Sequence, residues 1–330
     1  MIISRTPLRI SFVGGGTDFR SHYKHNKYGA VLSTSIDSYL YVTVKSQTSL
    51  FDEKYRLNYS ITELVDDIES IENSIIKECL KFLDLDERLY ISTIADAPES
   101  TGLGSSSSFC VGLLNALYKF KGETVSSGRL AEEAAHIECD ILKRPMGKQD
   151  HYAAAFGGLN YIRFYDDETV TVRPLNMAAD KQRQFSNSIL MFWTGVTRPS
   201  ESILDEQDKR NSENAQILTK MSDQANELSD LLMNYKISIE KIGYLLDKAW
   251  EMKKKLGSRI SNSRIDQYYQ TAMKNGACGG KLSGAGGGGF LTLIIEPSKH
   301  DDLIKAMLKI GLKQYSFGLD SEGTTVTQIN

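Results

Sequence analysis

Hydrophobic positions alternate at the start of the chain. In "MIISRTPLRISFVGGGTDF", Ile3, Leu8, Ile10 and Phe12 mark a strand that stops at three glycines and so enters a tight loop. "AVLSTSIDSYLYVTVKS" is rich in β-branched and aromatic residues and predicts further strand. In "TELVDDIESIENSIIKECLKFL", Leu64, Ile68, Ile71, Ile75, Cys79 and Leu83 fall at helical spacing and predict one helix. "LYISTIADAP" reads as another strand. The serine-rich loop after it leads into a helix carrying Phe109, Leu113, Leu114 and Leu117, and "SGRLAEEAAHIECDIL" reads as the next helix. "GGLNYIRFYDDETVTVRPL" predicts a hairpin turning at Asp166 and Asp167. This mixture suggests an α+β first domain over residues 1–185. The second, over 186–330, begins with the strand "NSILMFWTGV", followed by a long polar helical region over residues 199–256. It ends with a strand "GGFLTLIIE", a helix "KHDDLIKAMLKIGL" and a terminal strand. The lysines at 253–255 read as a solvated helix end, favoured near the C-terminal dipole.

Composition narrows the classes. A chain of 330 residues exceeds one small core and suggests two domains. With 39 basic and 42 acidic residues the net charge is −3, which argues against nucleic acid as a partner. No run approaches the roughly 18 apolar residues of a membrane span, and the first residues lack the order of a secretion signal, so no membrane association and a cytoplasmic location are expected. Cys79, Cys110, Cys139 and Cys278 have no paired spacing and are expected to be reduced, mostly packed, and not metal-binding. His22, His25 and His151 also lack metal-site spacing. His136, Trp250, Tyr268 and Tyr269 read as packing or solvated residues.

Three glycine loops carry the chemistry. "GLGSSSS", with Gly102, Leu103, Gly104, Ser105, Ser106, Ser107 and Ser108, opens a helix, whose N-terminal N–H groups and partial positive charge suit phosphate. No lysine follows as in the Walker pattern, and no third glycine completes a dinucleotide fingerprint. The bland alternative is a serine-capped helix after a turn. "GGKLSGAGGGGF" is more than half glycine and feeds a strand, as backbone packed against a ligand would require. In "RTPLRISFVGGGTDF", Asp18 beside three glycines could hold sugar hydroxyls or cap a turn.

"PLRISFVGGGTD", "PESTGLGSSSS" and "KLSGAGGGG", in this order across essentially the whole chain, resemble the three motifs of the superfamily of galactokinase, homoserine kinase, mevalonate kinase and phosphomevalonate kinase, the GHMP kinases. "GKQDHYAAAFGGLNYIRF", with the first and third motifs, is similar to the bacterial D-glycero-D-manno-heptose 7-phosphate kinases. The resemblance implies an α+β two-domain fold. Its N-terminal mixed α/β domain would contain a left-handed βαβ-type unit, and its C-terminal domain would be ferredoxin-like, with ATP and Mg²⁺ in the cleft between them. It implies that Gly102–Ser108 together with Ser283, Gly284 and Gly286 bind ATP. Asp150 would accept the proton of the sugar hydroxyl, with Arg9 keeping it ionised and neutralising the moving phosphoryl group. Ser106 and Glu138 would hold Mg²⁺, with Ser105, Glu132 and Glu133 as open alternatives. Gly16, Thr17 and Asp18 would hold sugar hydroxyls. Arg198, together with Lys148, would contact a phosphate already on the substrate, against the plain reading of Arg198 as a solvated loop residue.

The reaction implied is ATP-dependent phosphorylation of the anomeric hydroxyl of heptose 7-phosphate to the 1,7-bisphosphate, on the way to nucleotide-activated heptose (GDP-heptose) for surface or capsule polysaccharide. A kinase of an unphosphorylated sugar, fucokinase- or galactokinase-like, is the alternative within enzymes, and a non-catalytic sugar- or nucleotide-binding module is the alternative outside them. The expected partner is a small-molecule sugar phosphate, and a homodimer stays open.

Overall fold

The computed structural model describes residues 1–197 and 199–329. The strands are β1 (Ile2–Val13), β2 (Tyr28–Ser46), β3 (Tyr55–Asn58), β4 (Thr62–Val65), β5 (Leu89–Ala95), β6 (Leu159–Tyr165), β7 (Val170–Pro174), β8 (Ile189–Trp193), β9 (Ala277–Leu282), β10 (Phe290–Ile295), β11 (Lys313–Tyr315), β12 (Leu319–Asp320) and β13 (Thr325–Gln328). The helices are α1 (Arg20–Tyr23), α2 (Ser74–Phe82), α3 (Ser105–Phe120), α4 (Ser127–Ala135), α5 (Gln149–Phe156), α6 (Ala179–Asn187), α7 (Glu201–Lys209), α8 (Ala215–Met233), α9 (Ile239–Lys255), α10 (Ser263–Lys274) and α11 (His300–Lys309).

The long strand β2 organises the first sheet. Its residues 32–44 pair with β1, residues 28–34 with β6, and residues 40–46 with β5. The path β13-β1-β2-β5-β3-β4 is antiparallel except where β3 runs parallel to β5 across the α2 connection. In the second sheet the order is β11-β8-β10-β9, all antiparallel. With α7–α10 between β8 and β9, and α11 between β10 and β11, this is the β-α-β-β-α-β arrangement of a ferredoxin-like unit. After residue 318 the chain returns to the first sheet, where β12 pairs with β2 and β13 with β1. A cut at 185/186 therefore leaves two strands of the first sheet on the far side.

The single helix expected over 62–83 is three elements. Thr62–Val65 is strand, Ile68–Ser70 is a 3₁₀ turn, and helix begins only at Ser74. Polar side chains override the period. Asp67 caps the 3₁₀ turn, Asn73 caps α2, and the Glu63 carboxylate accepts the N–H groups of Glu72 and Asn73 at 2.6 and 3.1 Å. The helix expected through Leu142 is α-helical to Ala135 and then widens into a π-helical turn, His136–Ile141. The polar region from 199 divides into α7, α8 and α9.

Side chains of β1 alternate between the two faces of the sheet, and from Thr6 to Val13 both faces are buried. Leu8, Ile10 and Phe12 of β1 pack with α8, α9, β8 and β10 into one core shared by both sheets. The other face of the first sheet carries α2–α5 over a second core. Arg9 and Ser11 sit between those buried apolar positions on β1, so they face the side of the helix N-termini. That is where the site forms.

Candidate functional site

A cleft of about 680 Å³ opens between the two halves, within the usual range for small-molecule sites. From the first half, Arg9, Ser11, Gly16, Asp18, Gly104, Ser105, Ser106, Ser107, Arg144 and Asp150 line it. From the second, Lys253, Lys281, Ser283, Gly284 and Gly286 do.

Gly104 caps α3 with φ +81°, a conformation costly for any side chain. A Cβ there would stand 3.3 Å from Arg9 Cγ and 3.4 Å from an Asp150 oxygen. The helix start is thereby held against the acidic–basic pair. The first backbone bond of the helix runs from Ser108 N to Gly104 O, so the N–H groups before it have no partner within the helix. The Ser107 hydroxyl is buried, faces the cleft and has no hydrogen-bond partner. An anionic phosphate group fits this end of the cleft. The third-motif loop closes on it from the other half. Gly102 and Gly284 touch, both at positive φ, and a Cβ on Gly102 would lie 2.4 Å from the Ser283 carbonyl oxygen.

Arg9 and Asp150 form a bidentate pair, Nε to Oδ1 at 2.7 Å and Nη2 to Oδ2 at 2.6 Å, and Arg9 Nη1 donates to the Gly102 carbonyl at 2.5 Å. Arg9 is buried, so this is no surface salt bridge. Asp150 stands in the first turn of α5. One residue earlier, Gln149 donates through its backbone and side chain to Asp18, both at 3.1 Å, and accepts from Ser11. Burial pushes the Asp18 carboxyl above its ordinary value, with the Asp150 charge adding to the rise. The N–H groups of Gly16 and Gln149 oppose it.

Behind the serines, Glu138 is fully buried on the π-helical turn. Oε1 accepts from Ser106 at 2.5 Å and Arg144 at 2.7 Å, and Oε2 is bonded to His151 at 2.8 Å. Burial alone would raise its pKa. The bonds from His151 and Ser106 and the Arg144 charge outweigh it and hold the carboxyl below its usual value. Of the glutamates weighed for Mg²⁺, Glu138 meets Ser106, whereas Glu133 is taken by Tyr118 and Arg129. Ser106 and an ionised carboxylate are hard oxygen ligands and fit Mg²⁺ by chemistry. Arg144 stands on both oxygens here.

Other expected site residues are elsewhere. Lys148 donates to Glu168 at 2.5 Å, among Arg20, Lys24 and Tyr23, and does not line the cleft. Glu168 lies on the tight hairpin turn, where this surrounding positive charge collects. Thr17 is buried, its hydroxyl exchanging bonds with Ala30 N and O at 2.9 Å, so it pins the glycine loop to β2. Leu103 is a core side chain whose carbonyl accepts from Arg9 N, and Ser108 anchors α3 to the Pro7 carbonyl. Neither lines the cleft. Arg198 lies outside the described residues.

Lys253 corrects the reading of 253–255 as a solvated end. It is buried and lines the cleft, with Nζ 2.9 Å from Gln207 Oε1. Lys281, which the sequence reading passed over, is also buried, with Nζ 2.8 Å from the Ser11 carbonyl. A signal existed for the first: Lys253 continues the buried stripe Ile242, Leu246, Ala249 of α9. Burial lowers Lys253 to about 8. Burial, then the charges of Lys253 and Arg9, lowers Lys281 to about 7.

Residues 68–158 match the GHMP kinases N terminal domain and residues 230–314 the GHMP kinases C terminal, together more than half the chain. The chain is 29% identical to the D-glycero-alpha-D-manno-heptose 7-phosphate kinase of Campylobacter jejuni, over 98% of this chain and 97% of that one. It is 26% identical to the galactokinase of Pyrococcus furiosus, over 96% and 95%. Among solved structures it is similar to a D-glycero-D-manno-heptose 1-phosphate kinase from Bacteriodes thetaiotaomicron, with a TM-score of 0.81, 24% identity and full coverage of both chains. Motifs, topology and these matches agree: the chain belongs to the GHMP kinases.

Proposed function

We propose that this GHMP kinase transfers the γ-phosphoryl group of ATP to the anomeric hydroxyl of D-glycero-D-manno-heptose 7-phosphate, giving the 1,7-bisphosphate. The observation that carries the reading is the pair of buried Arg9 and part-buried Asp150 held against the glycine that opens α3. Phosphoryl transfer asks the protein for position and charge rather than covalent help. The N–H groups of α3 and the loop at Ser283–Gly286 hold the triphosphate. Mg²⁺, when bound at Ser106 and Glu138, neutralises phosphate charge. Asp150 takes the proton of the acceptor hydroxyl, and Arg9 fixes the Asp150 carboxylate in place through two hydrogen bonds. Asp18 and the Gly16 backbone hold sugar hydroxyls. The name of the Campylobacter relative supports a heptose phosphate as acceptor, and that of the Pyrococcus relative supports an unphosphorylated hexose. The product would feed assembly of a nucleotide-activated heptose in the cytoplasm.

ADP release is measured with ATP and Mg²⁺ against heptose 7-phosphate, heptose, fucose and galactose. The reading expects the highest kcat/KM on heptose 7-phosphate. A higher value on galactose or fucose contradicts it, and no sugar-dependent ADP release at all contradicts the kinase reading itself.

A further inference from the structure

Two ammonium groups enter the cleft from the second half of the molecule, Lys253 from the last turn of α9 and Lys281 from β9, each 5% exposed. Among the described residues neither is paired with a carboxylate. Lys281 donates to the Ser11 carbonyl and Lys253 to the amide oxygen of Gln207. A buried ammonium with three donors and one neutral acceptor is under-satisfied and calls for an anion. The second observation is Gln207 itself. Its Nε2 is buried without a partner, and it lies where a Cβ on Gly16 would be 2.3 Å away, beside the loop that carries Asp18.

The position of the pair selects which anion. The α3 N-terminus, Ser107 and Arg144 stand at the end assigned to the nucleotide. Lys281 instead joins the chain Ser11–Gln149–Asp18, and Lys253 joins Gln207 and Gly16. Both lysines thus lie on the acceptor side of the Arg9–Asp150 pair.

We propose that Lys253 and Lys281 form the binding site for a phosphomonoester carried by the acceptor sugar, so that the sugar is held through its hydroxyls at Asp18 and through its phosphate at the two lysines. This rests on the sugar-phosphate reading above. It gives the substrate phosphate a place that Lys148, tied to Glu168, does not provide.

The test compares the parent with Lys253→Met and Lys281→Met, each checked for its fold by circular dichroism. Where a methionine variant does not fold, Lys→Gln at the same position replaces it. At saturating ATP, kcat/KM is measured for heptose 7-phosphate and for heptose, and KM is measured for ATP. The expected result is a preference of the parent for the phosphorylated sugar that falls at least about tenfold in each variant, the loss of one charge-assisted hydrogen bond, with KM for ATP within about threefold of the parent. A merely structural lysine would depress both sugars together and leave the ratio alone, and that result overturns the site. A loss that falls on KM for ATP overturns it too, by assigning the lysines to the nucleotide. A parent with no preference for the phosphorylated sugar overturns the sugar-phosphate reading, and the site with it. That failure shows in the parent alone, so the two are distinguishable.

Discussion

Glu138 illustrates how a single carboxylate is kept charged out of water. It has no exposure, yet three donors face it, and its pKa is held down. Glu138→Gln leaves Arg144 and His151 without their charged partner and is expected to lower unfolding stability by about 1–3 kcal/mol, read from denaturant melts. The sign with pH follows. A depressed folded-state pKa contributes stability that is present above the ordinary value of 4.5 and lost as pH falls through the folded value. The gap between parent and variant should therefore shrink on acidification below 4.5, and a gap that widens there would contradict the ionised assignment. The two lysines work in the opposite sense. With Lys281 near 7 and Lys253 near 8, among Arg9, Asp18 and Asp150, raising the pH discharges them while a substrate phosphate, with its second pKa of about 6, is already dianionic. A plot of kcat/KM for heptose 7-phosphate should fall as pH passes from 7 to 9, and a flat profile across that range would count against charged lysines at the acceptor.

Elements were legible in the sequence where local chemistry fixes them. The alternation of β1, the hairpin at Asp166–Asp167 and the helix after Gly104 all depend on neighbours in sequence. The helix expected over 62–83 was not legible, because Glu63 accepts from Glu72 and Asn73 and so folds the chain back at a place that apolar spacing alone does not mark. The glycine loops were readable as tight turns, but not the contact of Gly102 with Gly284, which joins segments from different halves. That contact makes a local prediction. Gly102→Ala introduces a Cβ 2.4 Å from a carbonyl oxygen at φ +83°, and the dissociation constant for ATP should rise at least about tenfold, a shift of about 1.4 kcal/mol, in a titration calorimeter. Gly122→Ala is the control: φ is +79° with nothing within 4 Å, so it should cost about 1 kcal/mol of stability and leave ATP binding as it was. Equal effects of the two on ATP binding would mean that the loop contact does not shape the site.

Across the whole molecule, the cleft exists because the two sheets share one core, through which α8 and α9 bring second-half residues against β1. The sequence could supply Arg9, Asp150 and the serines as motif members. It could not show that Lys148 turns away to Glu168 or that Lys253 turns in, since both depend on how helices rotate in packing. Nor does the chain order show that β12 and β13 complete the first sheet, where Glu322 meets Arg5 and the Thr324 hydroxyl meets Thr6. The central claim is that the Arg9–Asp150 pair in the cleft performs the transfer. The most direct measurement is a single-turnover assay of ADP formation by Asp150→Asn beside the parent, with saturating ATP, Mg²⁺ and heptose 7-phosphate, and with ATP binding measured in parallel. The account predicts a rate lower by at least about a hundredfold, the usual scale for losing a general base, with the ATP dissociation constant changed less than about threefold. A variant that turns over at the parent's rate would contradict it.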